Sequence, residues 1–188
     1  MNPEALIKAR RRLEKMSAAL EALRPPSTPD AVEAAWEDFI MAAGGLYSAL
    51  EQGAKVNDKC KAWFGRRKHE RKKDPLLRYV HQARNAEEHG IKRITQRNSS
   101  AITLGPGAEV QLMSDGKSWK AENAKGDVKL LNDVVVLIPV QDARFGDWFD
   151  PPTSHLGQEL KDASPLNIAA LCLAYAQAML AEAALFAQ

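Results

Sequence analysis

From Leu166 to Phe186 the chain runs for 21 residues with only three clearly polar side chains, Asn167, Gln177 and Glu182. As a helix this run would be roughly 30 Å long. A helix that is apolar on every side must be covered all round, by lipid or by other helices. Its composition favours helices. Alanine dominates, the two amides and Glu182 are scattered, and no basic flank follows. The run therefore predicts the central member of a helical bundle, begun at Ser164-Pro165. Its alanines would let neighbours approach closely, including a second copy of the chain.

Such a helix needs partners, and the first 90 residues supply them. Leu6, Ala9, Leu13, Met16, Leu20 and Leu23 recur in steps of three and four, a heptad-like seam suited to antiparallel packing. This first helix reads from Pro3 to Arg24. A break at Arg24-Pro25-Pro26-Ser27-Thr28-Pro29 follows, with Thr28 placed to cap a second helix and Pro29 at its first position. The buried face of that helix is Val32, Trp36, Phe39, Ile40, Ala43, Leu46, Tyr47 and Leu50. Gly44-Gly45 in its middle costs about 1 kcal/mol per glycine relative to alanine, so a close helix crossing or a kink is expected there. A third helix reads from Asp58 to Glu70, anchored by Trp63-Phe64. The fourth starts at Asp74-Pro75 and stops at Gly90, read as a left-handed terminus.

After Ile91 the period changes. Ile91 to Leu104, Ala108 to Met113, Ser118 to Ala121 and Val134 to Val140 read as strands. Gly105-Pro106-Gly107 and Ser114-Asp115-Gly116 are the turns between them. An aromatic loop, Phe145 to Pro152, is expected to fold back on the helices. The predicted fold is mainly α, about five helices with a small antiparallel sheet inserted before the last. Residues 1–90 and 164–188 form the bundle, and residues 91–163 the insertion, within one composite domain.

Net charge is only +2, but it is unevenly spread. Lys55 to Arg93 holds thirteen Lys or Arg against five Asp or Glu, while the segments on either side are net acidic. That concentration would attract a polyanion. The candidate RNA-binding side chains are Arg66, Arg67, Lys68, Arg71, Lys72, Lys73, Arg78 and His81. The alternative for the basic stretch is a solvated face, with Trp63 and Phe64 in the core. Cys60 and Cys172 form neither a metal pattern nor a disulfide framework, and a reducing cytoplasm is the expected compartment. The first helix carries charge throughout and has no apolar signal core. No metal or cofactor is called for. His81 and His89 lie eight apart without carboxylates at ligand spacing, and no phosphate-binding glycine loop or zinc-protease helix occurs.

Chemistry concentrates in Arg84-Asn85-Ala86-Glu87-Glu88-His89-Gly90 at the end of the fourth helix. On a helical wheel Leu76, Leu77, Val80 and Ala83 share one side. His81, Asn85 and His89 step by four along the other, with Arg78 nearby, and Arg84 falls at the border. Tyr79 and His81 are placed to stack on a base or to make dimer contacts. Histidine transfers protons near neutral pH, and arginine offers a fork of donors matched to phosphate. The plain alternative is a capped helix end, with Arg84 paired to Glu87 or Glu88 and His89 at the negative end of the helix dipole.

An arginine, four intervening residues and a histidine, with asparagine directly after the arginine, at the end of a bundle helix, resembles the HEPN superfamily of helical domains. The resemblance covers the helical segments, about 1–90 and 164–188, and leaves the sheet insertion outside. It implies a metal-independent endoribonuclease, usually dimeric, with two motifs forming one composite site. Carried over, His89 transfers protons, Arg84 binds the phosphate and Asn85 orients the imidazole or the phosphate. The ribose 2′-hydroxyl attacks and leaves a cyclic phosphate. The resemblance also implies a homodimer acting on RNA, with an antitoxin or defence-system protein as partner, as in toxin–antitoxin and phage-defence systems. Its alternative is a non-catalytic scaffold or an RNA- or protein-binding module on the same bundle.

Overall fold

The computed structural model describes residues 1–25, 27–114, 119–142 and 144–187. Five α-helices form: α1 Pro3–Ala22, α2 Pro29–Gly53, α3 Asp58–Lys73, α4 Pro75–His89 and α5 Pro165–Ala184. Each starts where a short polar side chain accepts a hydrogen bond from a backbone N–H three residues on. The capping residues are Asn2, Thr28, Asn57, Asp74 and Ser164. Four of the five place proline at the first position, where no N–H partner exists to be lost. The fold is mainly α with small two-stranded sheets before the last helix, as the sequence predicts.

The chain divides into two compact units, residues 1–96 with 135–188, and residues 97–134. In the first unit α2 is the hub, packing against α1, α3, α4 and α5. Its Trp36, Phe39, Ile40, Leu46 and Leu50 are fully buried, each worth about 1.5–3 kcal/mol of burial for side chains of this kind. The predicted α1 seam is buried from Leu6 to Leu23, with Leu13 partly covered. Asn2 N–H donates to Gly53 O at 3.1 Å, so α1 and α2 run antiparallel.

α5 is not the central helix that its composition predicts. It buries Ile168, Ala169, Cys172, Tyr175, Ala176 and Met179 but leaves Ala170, Ala174, Ala178 and Ala181 exposed. By length and hydropathy it could cross a membrane, and half of its apolar window is buried among the other helices. α2 takes the centre because its large aromatic and aliphatic side chains bury more area than alanines do.

α2 is continuous through Gly44-Gly45. The glycines make room for arginines, not for a helix crossing. A Cβ on Gly44 would lie 3.0 Å from Arg84 Nε, and one on Gly45 would lie 2.9 Å from Arg12 Nε. Gly90 does not adopt the left-handed conformation expected of it; its φ is −104°. It is needed because a Cβ there would strike the Ala86 carbonyl oxygen. α3 extends to Lys73, three residues beyond its expected end.

Asp74 joins three segments. Its carboxyl caps α4 by accepting from Leu77 N–H at 2.8 Å. It also accepts from Leu156 N–H at 2.6 Å, and His155 Nδ1 lies 3.0 Å away. Leu156 sits at φ 48° and Gly157 at φ 79°, in the two-residue turn between β7 Ser154–His155 and β8 Gln158–Glu159. A left-handed leucine costs roughly 1–2 kcal/mol, and the bonds to Asp74 offset it. The aromatic loop pairs as β5 Val140–Gln141 with β6 Trp148–Phe149.

The second unit holds two paired strand sets: most of β1 Thr95–Leu104, which pairs with β4 Val128–Leu137, and β2 Glu109–Ser114, which pairs antiparallel with β3 Trp119–Lys125. Gly105-Pro106-Gly107 is therefore a break along one side of these paired strands, not a turn joining paired neighbours. Gly105 N–H donates to Asp127 O at 2.7 Å and keeps the two sides in register. The turn expected at Asp115-Gly116 and the strand start at Ser118 lie outside the described residues.

Replacing Asp74 with alanine removes a helix cap and leaves the Leu156 N–H and His155 without their partner. A loss of about 3 kcal/mol is expected, read as a lowered urea midpoint. A loss below about 1 kcal/mol would show that the junction does not depend on this carboxyl.

Candidate functional site

α4 carries the motif, and the direction of each side chain follows from its position on that helix. Arg84 turns inward over Gly44. Its side chain is 25% exposed and forms an ion pair with Glu88 one turn on. Its Nη1 donates to Asn85 Oδ1 at 3.2 Å, while Asn85 Nδ2 donates to Gln82 Oε1 at 3.3 Å. His89 is 66% exposed, and its Nε2 lies 3.4 Å from Glu88 Oε2. Glu88 therefore sits between the arginine and the histidine and contacts both.

The groove at this end of α4 has a volume of about 350 Å³ and is lined by Glu33, Glu37, Glu87, Lys92 and Arg93, among others. Burial, then Glu87, Glu33 and Asp38, push the Glu37 carboxyl above its ordinary range. Three carboxylates against two cations give a phosphate little to bind here. Among the described residues no group of His, Cys, Asp and Glu is placed to hold a metal ion.

Behind Arg84, a crevice of about 20 Å³ is lined by Gly44, Tyr47, Arg71, His81, Arg84 and Cys172. That is space for about one water molecule, not for a nucleotide. Among the described residues Arg84 Nε and Arg71 Nε are buried there without a hydrogen-bond partner. The Arg71 guanidinium stacks 4.5 Å above the Tyr47 ring, and burial lowers its pKa. Burial, Arg71 and Arg84 push the His81 imidazole down to about 4. His81 is therefore neutral at pH 7, poised neither to donate a proton nor to attract phosphate. Tyr79 does not face outward; it is buried and donates to Ile138 O at 2.7 Å.

The basic stretch splits in two. Arg67 bridges Glu70 at 2.7 Å and Glu182 at 3.0 Å, tying α3 to α5. Trp63 Nε1 donates to the same Glu182 at 3.0 Å, and Tyr175 donates to Glu70. Lys68 pairs with Glu51 at 2.9 Å. These side chains serve the bundle. Arg66, Lys72, Lys73 and Arg78 are exposed, and none forms an ion pair among the described residues. Arg78 caps the Phe149 ring at 5.5 Å. Trp63 and Phe64 are buried, as expected of core anchors.

Sequence reasoning missed two features here. One is the Asp74–His155 contact, whose only sequence trace is the Asp-Pro cap. The other is the exposure of Phe145 and Trp148, because an aromatic loop ordinarily signals burial. No protein-family model matches the chain, and no curated protein or solved structure matches it.

The His81 pKa carries a sign. A folded-state value near 4, below the ordinary 6.5, means the unfolded chain binds the proton more readily. Stability that is complete above about pH 6.5 is lost as pH falls from there through 4. His81→Gln should flatten that part of the pH–stability curve in urea denaturation. A curve identical to that of the parent protein would assign the acid sensitivity to other groups.

Proposed function

We propose that this chain is an HEPN-like, cytoplasmic RNA-binding module that holds RNA through the exposed cations of α3 and α4. The observation that carries this reading is the division of the basic stretch. Among the described residues Arg66, Lys72, Lys73 and Arg78 remain without carboxylate partners, although the chain has 24 acidic residues. Solvated surfaces usually mix their signs, and cations left unpaired along two consecutive helices suit a phosphate backbone. The RNA class itself rests on the resemblance of Arg84, Asn85 and His89 to the HEPN motif. The exposed alanines of α5 suit close approach of a second copy, so the module is a homodimer in this reading. An antitoxin or defence-system protein is its implied partner.

Binding without cleavage is favoured over endonuclease activity because Glu88 occupies Arg84 and also contacts His89. An arginine paired in this way does not offer its fork to a scissile phosphate. The second reading, a metal-independent endoribonuclease, is supported by the exposure of His89 and requires Glu88 to release Arg84.

Fluorescence anisotropy with a labelled single-stranded RNA, repeated across a salt series, tests the first reading. Changing Arg66, Lys72, Lys73 and Arg78 to glutamate should weaken binding and lower the log–log salt slope by up to about 3. An unchanged slope would remove these cations from the interface. Incubating the protein and Glu88→Gln with RNA in EDTA tests the second reading. Cleavage that appears in either and vanishes on adding His89→Ala would establish the nuclease. Intact RNA in every lane would leave the binding module. Sedimentation at micromolar concentration should show a dimer, and a monomer there would rule out a composite site.

A further inference from the structure

We infer that the β5–β6 hairpin is a stacking platform for unpaired bases of single-stranded RNA, with Trp148 and Phe145 as its rings. This inference rests on the RNA-binding reading and specifies which form of RNA the surface takes. Phe145 is 70% exposed and Trp148 57% exposed, although large aromatic side chains ordinarily supply core area. Each carries a cation on its ring. Lys92 Nζ lies 5.2 Å from the Trp148 centroid, and the Arg144 guanidinium carbon lies 5.0 Å from that of Phe145. Exposed rings interleaved with cations are the chemistry that holds single strands, because every base has a π-face and every linkage a negative charge.

The rings stand on a hydrogen-bonded frame. Val140 is buried and Phe149 packs against the core, which roots both strands. The Asp142 carboxyl accepts from Arg144 N–H at 2.8 Å and Phe145 N–H at 3.3 Å, and Gly146 N–H donates to Asp142 O at 2.8 Å. Gly146 supplies the positive φ, 81°, that the turn requires. Gln82 Nε2 lies 3.4 Å from Asp142 Oδ2, which ties the hairpin to α4 one turn before Asn85.

A nucleic acid fits this surface better than an apolar protein face. A protein hot spot needs neighbours that exclude water around it. The sequence neighbours of these rings are Arg144, Gly146, Asp147 and Phe149, of which Phe149 packs against the core instead, and Lys92 and Gln141 pack beside Trp148. Ile91 is exposed next to Lys92. Asp147 and Asp150 lie on the same hairpin, so the rings rather than net charge must supply affinity here. That makes ring removal the decisive test.

The experiment compares a labelled single-stranded RNA with an abasic ribose-phosphate strand of the same length, binding to the parent protein, Trp148→Ala, Phe145→Ala and Trp148→Phe. Circular dichroism checks that each variant folds. Each alanine variant should bind the base-bearing strand about tenfold more weakly, with the salt slope unchanged. Trp148→Phe should recover most of the loss, and the abasic strand should bind all forms equally. Alanine variants that bind within twofold of the parent would overturn the platform while leaving the cations of α3 and α4 as the RNA contact. That is also the result expected if a protein partner covers the rings. A parent protein that binds no RNA at low salt would overturn the platform together with the reading beneath it.

Discussion

The Asp74 carboxyl is the contact on which the helical unit turns. It ends α3, begins α4 and fixes the β7–β8 turn that leads into α5. A buried carboxyl without partners costs several kcal/mol, so the chain surrounds it with Leu77 N–H, Leu156 N–H and His155. Leu77 lies about 80 residues from the adjacent pair His155 and Leu156 in sequence. One acidic group therefore sets where the last 30 residues meet the helices, and it permits a leucine in a left-handed turn.

A second constraint places the arginines. Gly44 and Gly45 lack side chains where Arg84 and Arg12 cross α2. Arg84 is thereby drawn from the surface and held by Glu88, which changes what the motif can do. A guanidinium packed on a helix backbone and paired to a carboxylate is a structural group first. In the proposed reading RNA is held by the cations that, among the described residues, no carboxylate pairs with, and by the rings that the β5–β6 hairpin leaves in solvent. The same logic separates Arg67, locked between Glu70 and Glu182, from Arg66 beside it.

Much of the helical scaffold is legible without coordinates. Thr28-Pro29, Asp74-Pro75 and Ser164-Pro165 mark helix starts because capping and proline act within four residues. The α1 seam and the α2 aromatic face follow from a period that any amphipathic helix must obey. The pairing of β1 with β4 across Gly105-Pro106-Gly107 was not legible. A glycine-proline-glycine run reads the same at a hairpin turn and at a break in a longer ribbon. Within the candidate site, the helical period put both Glu87 and Glu88 within reach of Arg84. It did not show which of the two the arginine would choose, nor that Tyr79 would turn inward to Ile138.

By itself the sequence determined the five helices, their starts, the apolar faces of α1 and α2 and the concentration of basic charge between Lys55 and Arg93, because each depends on neighbours within a turn or two. Only the tertiary structure decided that α2 rather than α5 lies at the centre, that Arg84 is bound to Glu88 over Gly44, and that Trp148 and Phe145 stay in solvent. Those outcomes depend on which distant surfaces compete for the same buried area and the same carboxylates, and local periodicity carries no record of that competition.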